Sequence, residues 1–411
     1  MNYEHEISKL RRSSLCLAAA LAAGCALSPG ITQADSKKAQ PNLIVIITDD
    51  QGYGDLGVQP HHRPIETPNI DRIAHEGVRM TDAYANAPIC SPSRAALLTG
   101  MYQQRFGYYD NWESQVGFHA DQKIAPEYLK PLGYTSAAIG KWHLGWFEHN
   151  HPLAKGFDYH FGFTGGMHDY FDAINGETWE GGPFDVNRME RNHEWIDTIS
   201  YMPDDLTDHA IEFMDENKEE PFFMYLAFTT PHGPHQAKKT DLAKYAGKDM
   251  DTNRKVVRAM YDALDRNVGR VLDYLDEENL TDDTMVVYCG DNGGLKEQAG
   301  CDNWKLKGSK GYLSEGGIRI PFLVRWPGHL PAGEVYREPI MHMDIVPTFL
   351  AAAGGEPAEK MTGVNLLPYW RGETETAPHE SLHWQMHPEA MNRFAIREDD
   401  WKLVKARNVE G

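Results

Sequence analysis

Wholly apolar runs recur along this chain, each followed by an amphipathic stretch, and that alternation constrains the fold more than any other feature. Residues 43–48 (Leu-Ile-Val-Ile-Ile-Thr) hold nothing polar before the last position, so both faces of the segment need cover. A strand buried on both faces belongs in a parallel sheet sandwiched between helices. Residues 135–139, 222–228, 284–289 and 321–325 read as further core strands. The clearest helix between them puts Val256, Met260, Leu264, Val268, Val271 and Leu275 on one face, with carboxylates and arginines opposite. Residues 343–353 are a shorter helical candidate. The expected class is α/β, a large mostly parallel central sheet flanked by helices. With 10 Trp, 19 Tyr and 15 Phe the chain has ample material for a core, which excludes a disordered chain.

Residues 41–355 carry the alternation. After Ala353-Gly354-Gly355 the composition shifts toward Gly, Pro and Glu, and residues 381–385, 394–397 and 401–405 read as strands of a small antiparallel subdomain over 356–411. The last of these nearly meets the end at Gly411, so the subdomain is expected to be truncated. At the other end, Lys9, Arg11 and Arg12 precede an apolar run over 15–27, and Thr32-Gln33-Ala34 offers a cleavage site. That is a signal-peptide layout over 1–34, too short to stay in a bilayer, and it predicts a secreted or periplasmic protein. Cys25 after Ala22-Ala23-Gly24 also fits a lipoprotein box, hence an anchored alternative. No later stretch approaches the ~20 apolar residues of a transmembrane segment. Without the leader three cysteines remain, Cys90, Cys289 and Cys301, an odd number for an oxidising compartment. Cys289 and Cys301 could pair, or Cys289 could simply be buried.

The formal net charge of −20 disfavours nucleic acid and anionic lipid as partners. It admits an anionic substrate only where local cations overrule it. Three clusters bear on that point. Asp49-Asp50 ends the first strand and Asp291-Asn292 follows another, at the sheet edge where ligands gather. Singly each is also an ordinary turn. As a pair they offer three carboxylates and an amide, hard oxygens suited to Ca²⁺ or Mg²⁺. The third is Pro88-Ile89-Cys90-Ser91-Pro92-Ser93-Arg94, where Ser91 or Ser93 can cap a helix that Gly100 ends. Cys90 then sits at a helix N-terminus, as a buried thiol or as a nucleophile of lowered pKa.

Cys90-Ser91-Pro92-Ser93-Arg94, followed by Ala-Ala-Leu-Leu-Thr-Gly over 95–100, closely resembles the signature of type I sulfatases, the arylsulfatase family. Gly140-Lys141-Trp142-His143-Leu144-Gly145 resembles the family's second signature, and Thr230-Pro231-His232-Gly233-Pro234 the segment with a catalytic His. Residues 307–311 and 315–321 are similar to the segment bearing the last active-site Lys, here Lys310, with Lys307 where relatives commonly have Arg. The resemblance spans about 42–405 and implies an alkaline-phosphatase-like fold with calcium at Asp49, Asp50, Asp291 and Asn292. It further implies that a maturation enzyme oxidises Cys90 to formylglycine, whose hydrate attacks sulfur and carries a covalent sulfate. By the same resemblance His232 protonates the departing alcohol and Lys310 touches the sulfate. His143 assists the collapse to aldehyde, and Arg94 and Lys141 hold the nucleophile's oxygens. Three carboxylates against a divalent ion leave about −1, which Arg94, Lys141 and Lys310 turn to about +2. The expected substrate is a sulfated polysaccharide or oligosaccharide. A phosphodiesterase or phosphonate monoester hydrolase of the same superfamily is the alternative, with a non-catalytic glycan-binding relative behind it. His61-His62 and His149 with His151 read as surface loops, while His383 and His387 could line the pocket. Trp142, Trp304, Tyr312 and the loop 167–171 could contact a sugar ring.

Overall fold

A computed structural model of the protein describes residues 40–59, 65–174, 187–295, 300–386 and 393–405. The leader 1–34 with Cys25, the pair His61-His62, and His387 lie outside the described residues.

The first strand, β1 (Asn42–Asp49), is buried at every position. Successive side chains of a strand point to opposite faces, and the packing shows both faces in use. Leu43, Val45 and Ile47 join one hydrophobic cluster with Leu97, Leu98 and Phe349. Ile44 and Ile46 join another with Leu206, Met260, Leu264 and Val268. The remaining strands of the main sheet are β2 (Val78–Met80), β4 (Thr135–Lys141), β5 (Tyr159–Phe163), β6 (Glu190–Arg191), β7 (Glu194–Trp195), β8 (Phe222–Pro231), β9 (Thr284–Gly290), β10 (Phe322–Arg325) and β11 (Glu334–Tyr336), while β3 (Ala83–Tyr84) pairs separately with β12 (Ile340–Met341). Ten strands lie in the order β11-β2-β10-β9-β1-β8-β4-β5-β6-β7. The centre, from β9 to β5, is parallel throughout. The edges are mixed. The run 321–325 gives β10, which lies antiparallel to both β9 and β2.

The amphipathic pattern over 256–275 lies within a 26-residue helix, Thr252–Glu277. Asp251 caps it by accepting from the backbone N–H of Asn253 and Arg254 at 2.8 and 3.3 Å. All of the predicted apolar face is buried except Val256, which is partly so. The shorter candidate is the helix Ile345–Ala352, and its predicted first residues form a tighter turn, His342–Asp344.

The three C-terminal strands form their own antiparallel sheet, β13 (Ser381–Met386), β14 (Arg393–Glu398) and β15 (Trp401–Lys405). Leu382, Trp384 and Met386 face inward and join Tyr84, Ile89 and Ile318 in a third cluster. The Trp384 ring meets Tyr84 edge-on at 5.3 Å, and its Nε1 donates to the Ala85 carbonyl at 2.8 Å. Cys90, Cys289 and Cys301 are all free thiols, so the Cys289–Cys301 pairing does not form.

Candidate active site

Strand register assembles the site. In the β1–β9 pairing Thr48 stands beside Gly290, so Asp49-Asp50 and Asp291-Asn292 leave the sheet side by side. In the β1–β8 pairing Asp49 stands beside Pro231, which delivers His232 to the same edge. Lys141 is the last residue of β4, and His143 follows two residues later. Parallel neighbours all end on one side, and four of them place their following residues there.

The helix Cys90–Thr99 brings the remaining groups. Its N-cap is Ile89, without a side-chain cap, so neither serine caps it. Ser91 Oγ donates instead to the His143 carbonyl at 2.6 Å and lies 2.8 Å from the Tyr108 hydroxyl. Ser93 Oγ lies 2.9 Å from Nδ1 of His342, whose Nε2 reaches the Gly290 carbonyl at 2.8 Å. Both hydroxyls therefore tie the helix to the strand ends. Gly100 does end the helix, in the left-handed conformation at φ 67°.

Each carboxylate in the cluster has a cation close to it, and Asp49 also has Arg94 Nη2 at 3.8 Å from its Oδ1. Lys141 Nζ lies 2.7 Å from Asp49 Oδ2, and Lys310 Nζ 2.7 Å from Asp50 Oδ1. Arg94 donates through Nε and Nη2 to Asp291 Oδ2 at 3.1 and 3.0 Å. It also donates to the Lys141 carbonyl and the Tyr225 hydroxyl, each at 3.2 Å. Arg94, Asp49, Asp291 and Asn292 are completely buried, where an unpaired charge costs several kcal/mol (about 3–5). The pairing is thus a condition for burying them at all. Asp50 and His143 also adopt left-handed backbone, at φ 63° and 58°. Non-glycine residues accept that strain when the surroundings impose it, commonly at functional sites.

Cys90 Sγ lies 3.1 Å from Lys310 Nζ and 3.4 Å from Asp49 Oδ1. Burial pushes its thiol up to about 12 against the pull of Lys141 and Lys310, so the lowered pKa expected at a helix N-terminus is overturned. Burial also pushes Asp291 up to about 6, with Asp49 adding to it. For Asp50 burial works upward, but Lys310 and His232 outweigh it and hold the carboxyl well below its ordinary range. Burial and then Lys310 lower His232 to about 3, which favours the neutral imidazole. Its Nδ1 lies 2.8 Å from the Gly233 carbonyl and its Nε2 3.7 Å from Asp50 Oδ2. His143 is held well below the imidazole range by burial, then by Lys141 and Arg94.

Asn292 Oδ1, His143 Nδ1 and Thr230 Oγ1 are buried without a hydrogen-bond partner. Such atoms are rare in native proteins and mark places where something else binds. Asn292 donates through Nδ2 to Asp50 Oδ1 at 2.8 Å and keeps its Oδ1 unpaired among the described residues, so the donor set fits a hard divalent cation; ligand atoms of Asp49, Asp50, Cys90 and His232 lie within 4.8 Å of one another.

These groups floor a pocket of about 300 Å³ lined in part by Cys90, His143, His232 and Lys310. Sequence reasoning missed several of its walls. Asp110, Asn111 and Trp112 line it, and Asn111 Oδ1 accepts from the Ser91 N–H at 3.1 Å. They carry no motif and follow Cys90 by about 20 residues, beyond the helix Cys90–Thr99 and a tight turn at Gln103–Phe106. Trp146 and the Gly165–Gly166 turn also line it. A Cβ on Gly166 would stand 2.7 Å from His143 Nε2, so glycine is what lets that turn approach the imidazole. Of the proposed sugar contacts, Met167 lines the pocket, whereas Trp142 is completely buried and donates to the Asn150 carbonyl. His383 belongs to a separate cavity on the small sheet, against Tyr102. His149 is exposed, but His151 is buried, its Nε2 2.5 Å from Glu190.

A model of the sulfatase family matches residues 41–355. The chain belongs to the sulfatase family. A second model, described as the C-terminal part of N-sulphoglucosamine sulphohydrolase, matches 308–410. Human N-acetylgalactosamine-6-sulfatase is 34% identical over 394 residues, covering 84% of this chain and 72% of the relative. Human steryl-sulfatase is 31% identical over 446 residues, covering 85% and 73%. Among solved structures, Ps i-CgsB in complex with k-i-k-neocarrahexaose superposes with a TM-score of 0.83 at 36% identity, over 90% of this chain and 84% of that one. This sulfatase is a sulfuric ester hydrolase of type I with the alkaline-phosphatase-like fold. Among the described residues no helix is long and apolar enough to cross a membrane.

Proposed function

We propose that this sulfatase desulfates carbohydrate chains outside the cytoplasm, with Cys90 matured to formylglycine and Ca²⁺ as the bound cation. The observation that carries the reading is the threefold pairing of Asp49, Asp50 and Asp291 with Lys141, Lys310 and Arg94 around Cys90. A neutral cluster becomes a cationic one when a divalent ion joins it, and a cationic cluster receives a sulfate ester. Asp49, Asp50, Asp291 and Asn292 would hold the ion, which supplies charge neutralisation to the sulfate oxygens. Formylglycine supplies, as its hydrate, the two geminal hydroxyls that a buried thiol of high pKa cannot.

The chain's own residues do the rest. Lys141 and Arg94 fix the floor against which position 90 is held. Lys310, adjacent to both Asp50 and Cys90, meets the incoming sulfate. Burial first and Lys310 second keep His232 neutral; an arriving anion offsets the Lys310 part, so His232 can take up a proton and pass it to the leaving alcohol. His143, neutral and with Nδ1 unpartnered, is placed to relay a proton at position 90. The sugar reading draws on relatives named for a sugar sulfate and on the oligosaccharide bound to Ps i-CgsB.

The deciding measurement is a mass spectrum of the tryptic peptide 80–94 from protein produced alongside a formylglycine-generating enzyme. The expected result is a mass loss at Cys90 that a hydrazide traps; an unmodified thiol, with the maturation enzyme active on a control peptide, overturns the mechanism. Chelation is expected to abolish turnover of glycan sulfates, and Ca²⁺ to restore it. Comparing kcat/KM for sulfate and phosphate esters of one alcohol separates this activity from phosphodiester or phosphonate hydrolysis.

A further inference from the structure

A second cavity of about 350 Å³ adjoins the catalytic pocket, and Trp146 lines both. Phe147, Trp195, Arg188, His193 and Glu148 form other walls of it. Phe147 and Trp195 are 44% and 49% exposed, large apolar rings left open on a chain that buries most of its aromatic residues. Aromatic faces of that kind bind flat apolar surfaces, including the C–H face of a sugar ring. The Arg188 guanidinium lies over the Trp195 ring at 5.3 Å and pairs with Asp197 through Nη2 at 2.7 Å.

Two donors in these walls find no acceptor among the described residues: Trp146 Nε1 and Arg188 Nε are buried without hydrogen-bond partners there. A pair of orphaned N–H groups beside two open rings calls for a ligand that brings acceptor oxygens and an apolar face together. The charges do not call for an anion. Among the described residues that line the cavity, Glu148 and Glu190 stand against one fixed cation, Arg188, and Glu190 is held between His151 at 2.5 Å and His160 at 3.4 Å. A sulfated ring would meet a wall without surplus positive charge, whereas an uncharged ring would not.

We infer that this cavity is a subsite for the unsulfated sugar next to the one whose sulfate is cleaved. Its ring lies against Trp195, and its hydroxyl or ring oxygens accept from Trp146 Nε1 and Arg188 Nε. The inference rests on the carbohydrate reading above and adds where the neighbouring sugar sits and what charge it carries. Trp146 is common to both walls, so the two cavities are neighbours within reach of one oligosaccharide chain.

The test compares kcat/KM for a sulfated oligosaccharide, the matching monosaccharide sulfate and an aryl sulfate, in wild type, Trp195→Ala and Arg188→Gln. The ratio of oligosaccharide to monosaccharide kcat/KM is expected to fall about tenfold in either variant, through KM. Trp401→Ala, an exposed Trp on the small sheet, is the control and keeps the ratio. If both sugars turn over with a ratio indifferent to the two changes, the subsite is wrong and the carbohydrate reading stands. If only the aryl sulfate turns over, the carbohydrate reading falls and takes the subsite with it. A wild type that prefers oligosaccharides sulfated on the neighbouring sugar also overturns the inference, because it requires a cationic wall there.

Discussion

The carboxyl edge of the central sheet and the small C-terminal sheet use charge and apolar area in opposite ways. At the edge, Asp49, Asp291, Arg94 and Lys141 lose nearly all contact with water and survive by pairing. On the small sheet Trp401 and Leu403 remain 83% and 64% exposed, and charged groups such as Lys402 and Arg397 reach across the rim to Glu315 and Asp82 at 2.8 and 2.7 Å. Adhesion there comes from one face, where Trp384 and Leu382 enter a shared cluster. The difference teaches where removing a single side chain is felt as chemistry and where as stability alone. Buried pairs couple the two, because each partner both lies at the candidate site and compensates its neighbour's charge.

Arg94→Ala breaks the comparison hardest. It strands Asp291 and leaves Asp49 with Lys141 alone, so a destabilisation of about 3–5 kcal/mol is expected. Turnover of a sulfate ester should fall by about 10²–10³-fold in molecules that still fold. Urea unfolding beside kcat measures both, and an inactive variant with wild-type stability would show that the pairing is not what permits burial. Trp384→Ala should cost a similar ~3–5 kcal/mol as a cavity beneath the small sheet. Its kcat per folded molecule should stay within about twofold. A large loss of kcat at full folding would place the small sheet inside the catalytic unit.

A weaker effect ties the two parts together. His379 Nε2 lies 2.9 Å from Asp344 Oδ2, and Asp344 also accepts from the Val364 and Met341 backbone N–H groups at 2.9 and 2.7 Å. Burial alone would lower His379, but Asp344 outweighs it and its pKa is raised. A raised histidine contributes stability that is complete below its unfolded value, about 6.5, and is lost as pH climbs through the folded value. Wild type should therefore lose stability with rising pH above about 6.5 relative to His379→Gln, in melts at matched ionic strength. Parallel profiles would dismiss the tie. Smallest of all, Trp401→Ser should shift stability by no more than about 0.5 kcal/mol. A larger loss would mean that the exposed face is covered in solution.

Much of this was legible in the sequence because burial on both faces leaves a mark. The apolar runs located β1, β4, β8 and β9 to within three residues at either end but gave no sign of β5, and the acidic strand ends marked the edge where the site lies. Leu323 in β10 shows the limit, since a four-residue buried strand reads alike whether its neighbours run with it or against it. Ser91 and Ser93 show another: a hydroxyl at a helix start suggests a cap, and only packing reveals that Tyr108 and His342 compete for it. His151 looked like a loop residue because its partners, Glu190 and His160, are brought to it by strand pairing.

The sequence by itself determined the kind of sheet, the family, and the side chains from Cys90 to Lys310 available for chemistry, since composition at each position limits what can be buried and what can react. The tertiary structure decided which carboxylate met which cation and how far burial raised the Cys90 thiol. It also decided that a second cavity opens beside the first. Those outcomes depend on distances between residues up to about 260 positions apart, as in Asp50 and Lys310. Electrostatic energies vary with separation and solvent access, which only the folded chain fixes.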